Sequence, residues 1–198
     1  MTINYKIKSL SLAALFLVTP MTYAGWQLDN EQSHINFVSV KKSKIGEVHY
    51  FKQLSGSLKD NGTANISIDL NSVETNIGIR NERMLKMLFE TKLFPAAQIN
   101  GKFDVDKIRR MKVGSSFDTS QNLSLGLHGQ KQDMMANVKV IKLSNQKILV
   151  TSLQPLILNA GDFKLINGVE KLREIAGLPS ISTAVPITFT LTFNLETR

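Results

Sequence analysis

Cysteine is absent from all 198 residues. That excludes disulfides, thiol nucleophiles, thiolate metal ligands and lipid anchoring through a cysteine. The fold must rest on burial and hydrogen bonding, without the few kcal/mol that a disulfide typically adds. Long apolar runs are missing too: the longest, Leu10 to Val18, is about half of the roughly 20 residues that cross a bilayer. Lys6 and Lys8 precede it, Pro20 interrupts the chain just beyond it, and Thr22-Tyr23-Ala24 supplies a small-residue cleavage site. This is the three-part layout of a secretory signal peptide. We expect residues 1–24 to be removed and residues 25–198 to form one mature domain in the periplasm, long enough for one core rather than two.

A concentrated charge is also lacking. The net charge is +8, and without Lys6 and Lys8 the mature part carries +6. Its basic residues, among them Lys41-Lys42, Lys44, Lys52, Lys102, Arg109-Arg110 and Lys171, are scattered rather than gathered in a stripe with aromatics between them. No nucleic-acid partner is expected. A weak pull toward anionic membrane surfaces stays open, as does a homodimer.

Signatures of catalysis are missing as well. No G-x-S-x-G elbow occurs, and Gly161 and Gly168 lack the lysine and context of a phosphate loop. His34, His49 and His128 fall in or directly beside different strand candidates with no metal-ligand spacing, so we expect surface or rim histidines, no metal and no catalytic set.

What the chain does have is alternation of period two, which sends alternate side chains of a strand to opposite faces. Ala64, Ile66, Ile68 and Leu70 alternate with polar residues, as do Ile99, Gly101, Phe103 and Val105. The last segment puts Val185, Ile187, Phe189, Leu191, Phe193 and Leu195 on one face. Strand candidates are 26–28, 35–40, 47–58, 64–70, 99–105, 123–127, 136–143, 148–152 and 185–195, with Lys59-Asp60-Asn61-Gly62 a strong hairpin signal. One-sided strands indicate antiparallel sheet, and closure removes exposed edges. The fold class predicted is all-β: a single antiparallel barrel of about eight strands with one or two short helices. Helical spacing is confined to 79–91, closed by Pro95, and to 169–175, stopped by Gly177 and Pro179. Met84, Met87, Leu88, Phe89, Leu93 and Phe94 make the first of these apolar and adaptable, which suits a barrel plug or a ligand-facing surface.

The order of residues resembles the YceI family of exported lipocalin-like proteins. Trp26-x-x-Asp29-x-x-x-Ser33-x-Ile35-x-Phe37 is similar to that family's opening W-x-I-D-x-x-H-S-x-V-x-F, and Phe51-x-x-Leu54-x-Gly56-x-Leu58 to a strand that comes after it. Ser72-Val73-Glu74-Thr75, then Ile79-Arg80-Asn81-Glu82-Arg83-Met84, Phe89 and Phe94-Pro95 resemble S-V-x-T, R-D-x-x-L, F and F-P. Leu123-x-Leu125-x-Leu127-x-Gly129 resembles a later L-x-L-x-G. Gln32 stands where the family commonly has histidine, and Asn81 where it has aspartate.

The resemblance implies a barrel tunnel that holds a long polyisoprenoid chain, as of a quinone, or an amphiphilic fatty acid or amide, with no cofactor required. Phe37, Phe51, Leu54, Met84, Leu88, Phe89, Phe103, Leu125 and Phe163 are expected to line the tunnel or its mouth. Arg80 is expected either to meet a polar head or to tie the helix down. The rivals are an enzyme acting on a lipid in the same cavity, and an interaction module with a filled core.

Overall fold

The computed structural model describes residues 25–196; the expected signal peptide lies outside them. The described residues form twelve strands: β1 (Gly25–Leu28), β2 (His34–Lys41), β3 (Ile45–Phe51), β4 (Leu54–Lys59), β5 (Thr63–Asp69), β6 (Val73–Glu74), β7 (Ala96–Lys102), β8 (Ser116–Leu127), β9 (Gln130–Ser144), β10 (Lys147–Ser152), β11 (Leu156–Asn159) and β12 (Ala184–Leu195). Three α-helices join them: α1 (Gly78–Arg83), α2 (Val105–Arg110) and α3 (Ile166–Ile175). No helix among the described residues is long and apolar enough to cross a membrane.

The twelve strands make eight staves. β12 pairs through Leu195–Phe193 with β1 and through Thr190–Ile187 with β2, so β1 and β2 lie end to end along one partner. β4 pairs with β1 and β3 with β2, which makes β3 and β4 the next stave. β5 and β6 are arranged in the same way along β4 and β3, and β10 and β11 lie end to end along β12. With β7, β8, β9 and β12 as single staves, the ring closes between β12 and β1, all pairs antiparallel. Closure leaves no long edge to pair with another chain.

The breaks within three neighbouring staves share a level. Segment 47–58, expected as one strand, is interrupted at Lys52-Gln53. Asn30 bridges that gap, its amide donating to the Lys52 carbonyl at 3.1 Å and its side-chain oxygen accepting from the Leu54 N–H at 2.6 Å. On the other flank, Lys52 N–H donates to the Ser72 carbonyl and Gln53 N–H to the Ser72 hydroxyl, so no backbone donor is stranded.

Three further expectations need correction. The strand expected over 99–105 ends at Lys102, because Asp104 accepts from the Lys107 N–H at 2.8 Å and starts α2, which buries Val105 and Ile108. The helix expected over 79–91 is α1 with a π-helical turn, Met84–Leu88, after it, and it ends sooner, with Glu90 at φ 48°. α3 begins three residues before the expected 169.

Each end of the barrel is closed differently. At one end Trp26, Ile108, Val138, Val140 and Ile148 fill the interior, all at most 1% exposed. At the other, α1, the π turn and α3 form a lid, α3 lying on the π turn.

Candidate functional site

Below the lid the inward faces of the staves enclose an apolar cavity with about 1080 Å³ of space not occupied by atoms, counting the part that opens to solvent. β2 contributes Ile35 and Phe37, β8 Leu123, Leu125 and Leu127, and β12 Val185, Ile187 and Phe189. The lid contributes Leu88 and Phe89 after α1, and Phe163, Leu165 and Val169 at α3. Among the described residues, Asn159 is the one polar residue in this wall. A second space of about 630 Å³, counted in the same way, continues toward α2, between Phe103, Ile108, Val150, Leu191 and Phe193. The two share Ile35, Ile99, Leu123 and Phe189, so a single layer of side chains separates them.

Of the residues expected at the tunnel, Phe37, Phe51, Leu88, Phe89, Leu125 and Phe163 line the larger space and Phe103 the smaller. Leu54, Met84 and Arg80 line neither. Leu54 is buried opposite Ile68, which takes the wall position, and Met84 is buried at the start of the π turn, whose Phe89 N–H bonds the Met84 carbonyl. Arg80 ties α1 down: Nη1 donates to Glu47 at 2.7 Å and Nη2 to the Thr75 carbonyl at 2.6 Å. Leu93 is exposed instead of joining the apolar surface around the helix. The sequence reading missed Leu156 and Leu158 of β11, whose short L-x-L alternation was the only signal, and Leu165, which precedes α3.

The lid is anchored by polar side chains. Asn81 accepts from the Thr75 N–H at 2.9 Å and the Thr75 hydroxyl at 2.6 Å, while its amide donates to Glu74 at 3.0 Å. An aspartate could make the first two bonds but not the third, so asparagine suits this site beside a glutamate. That amide, the Lys52 ammonium and the Asn76 N–H hold the Glu74 carboxyl down at about 2. On the opposite side His128 Nε2 meets Glu90 at 2.9 Å and Nδ1 meets the Phe163 carbonyl at 3.2 Å, joining the β8–β9 turn to both halves of the lid.

A polar group also faces inward at the lid end. Alternation on β3 places Glu47 and His49 on the same face as Phe51, and on β2 it places Ser39 and Lys41 with Phe37. His49 is therefore not a rim residue as expected: it is 2% exposed. Its Nε2 meets the Ser39 hydroxyl at 2.9 Å, whereas among the described residues Nδ1 finds no partner, and neither does the buried Arg80 Nε. Leaving such groups unsatisfied costs roughly 1–3 kcal/mol each. Burial, and then the Arg80 guanidinium, push the His49 imidazole below its ordinary value. A hydrogen bond from Lys41 and the charge of Arg80 outweigh partial burial and hold Glu47 low. Among the described residues no group of three or more histidine and acidic side chains could hold a metal ion.

A family model for the YceI-like domain matches residues 26–193. No curated protein matches the chain. Among solved structures, a polyisoprenoid binding domain from Saccharophagus degradans implicated in plant cell wall breakdown is 37% identical, with a TM-score of 0.86 over 87% of this chain and 99% of that one. Burkholderia cenocepacia BcnA is 19% identical, TM-score 0.64, over 83% and 98%. A Campylobacter jejuni YceI protein is 13% identical, TM-score 0.56, over 100% and 94%. The last two share the fold.

Proposed function

We propose that this chain, which belongs to the YceI-like family, is a periplasmic, non-enzymatic binder that shields the hydrocarbon chain of a polyisoprenoid or quinone-type lipid from water. The observation that carries this reading is the lidded cavity with apolar walls, which offers hydrocarbon contact and almost no hydrogen bonding. Each isoprene unit has on the order of 100 Å² of apolar surface, so its burial contributes roughly 2.5 kcal/mol gross. A few units outweigh the roughly 4–15 kcal/mol lost on association. The name of the Saccharophagus degradans relative points the same way. A lipid-modifying enzyme would need titratable groups converging on the cavity, and among the described residues its wall includes none.

Phe37, Phe51, Leu88, Phe89, Leu125 and Phe163 are the proposed chain contacts, with Phe103 at the deep end. The lid also exposes Ile77, Ile79, Ile166 and Ile175 beside its arginines and lysines, a surface suited to brief contact with a membrane during loading. The direct test is native mass spectrometry with lipid extraction on protein taken gently from its own cells. A stoichiometric long-chain lipid is expected; a protein that stays empty and takes up no added prenyl lipid refutes the reading.

A further inference from the structure

Resting on the lipid-binding reading, we infer that Ser39, His49 and Arg80 form a head-group subsite that receives a carbonyl-type oxygen at the polar end of the bound chain. Strand alternation turns these β2 and β3 side chains into the barrel, where an apolar plug would be expected if the site served hydrocarbon alone. Phe37 and Phe51, which line the cavity, lie next to them in the same two strands. The rings form a series: His49 to Phe37 at 5.2 Å, Phe37 to Phe51 at 5.4 Å, and Phe51 to Phe89 at 6.0 Å between centroids. A flat head group can stack along that series as it passes Phe51.

The unpartnered atoms define what the head must supply. Arg80 Nε–H is a donor, its two terminal nitrogens already bonded to Glu47 and the Thr75 carbonyl. When the Ser39 hydroxyl donates to His49 Nε2, the imidazole carries its proton on Nδ1 and becomes a second donor. Two spare donors call for an acceptor. Arg80 and Lys41 face a single carboxylate, Glu47, so the local balance is one positive charge and a cationic head is disfavoured. A quinone or amide carbonyl meets these requirements, and a saturated hydrocarbon end does not.

The test is competition in native mass spectrometry between decylubiquinone and dodecylbenzene on the delipidated whole protein, with His49→Phe alongside. The unmodified protein should prefer the quinone by about tenfold, the worth of one to two hydrogen bonds. His49→Phe should still bind dodecylbenzene while its preference falls to about twofold or less. A second measurement needs no variant: the ¹⁵N resonance of His49 Nδ1 should shift when decylubiquinone is added and stay put with dodecylbenzene. Equal preference in both proteins, or an Nδ1 resonance indifferent to the quinone, overturns the subsite while leaving lipid binding intact. Failure of both ligands to bind overturns the lipid-binding reading as well.

Discussion

Gly168 of α3 lies against Leu88 of the π turn so closely that a Cβ built on it would stand 2.8 Å from the Leu88 Cα and 2.6 Å from the Met87 carbonyl oxygen. The lid closes because that Cβ is missing: two backbones touch, and Leu88 on one side and Val169 on the other reach the same cavity.

Gly168→Ala should therefore loosen the lid. The obstruction is backbone on both sides, so relief requires α3 to move, at roughly 1–3 kcal/mol. Thermal melting should show a midpoint lower by about 2–10 °C, and bound lipid should leave faster. Gly78→Ala is the matched control, since nothing lies within 4 Å of its added carbon. If the two variants melt and release lipid alike, the close approach does not hold the lid.

At the far end, Lys142 is 4% exposed, with Nζ 5.0 Å from the Trp26 ring centroid and 3.5 Å from the Ile108 carbonyl. Burial first, and then Arg109, lower its affinity for a proton relative to the ordinary 10.5. Between the folded value and 10.5 the unfolded chain binds more protons, so stability from this group rises with pH; below that window the penalty stands in full. Lys142→Met should raise stability at neutral pH by about 1 kcal/mol and flatten the rise toward pH 10.5. Melts of both proteins from pH 7 upward decide it: parallel curves would show that Lys142 carries no desolvation penalty.

Much of this arrangement is legible in the chain because the periodicity that buries a stave also builds the cavity wall. Ile187 and Phe189 reach the wall and Phe193 the core by the alternation visible in residues 185–195. The break at Lys52-Gln53 is not legible, because its pairing comes from Asn30, 22 residues away from Lys52. α2 was hidden because Phe103 and Val105 continue the strand pattern, although the Asp104 cap was there to be read. His49 was misplaced for a different reason. Its polarity suggested a rim, while its parity with Phe51 already pointed inward.

Glu74 gives the lid an acid limit. Its carboxyl is held at about 2 against an ordinary 4.5, first by the Asn81 amide and then by Lys52 and the Asn76 N–H. A depressed carboxyl contributes stability that is complete above 4.5 and lost as pH falls toward about 2. Melting midpoints should accordingly fall more steeply between pH 4.5 and 2 in the unmodified protein than in Glu74→Gln. Identical slopes would remove Glu74 from the account; some slope remains in the variant because Glu47 is lowered too.

The hollow interior itself can be tested by filling it. Ala97 on β7 is 3% exposed and faces the larger cavity, whereas Ala136 on β9 is 1% exposed and lines neither space. A phenyl ring at position 97 has room to enter, so Ala97→Phe should keep its melting midpoint or gain slightly while losing lipid at least tenfold. The same ring at position 136 meets closed packing, and Ala136→Phe should lose roughly 1–3 kcal/mol. A filled core makes the opposite demand: both substitutions would then overpack the barrel and destabilise it equally. Comparable losses at the two positions would mean that the space below the lid is already taken by the protein's own side chains.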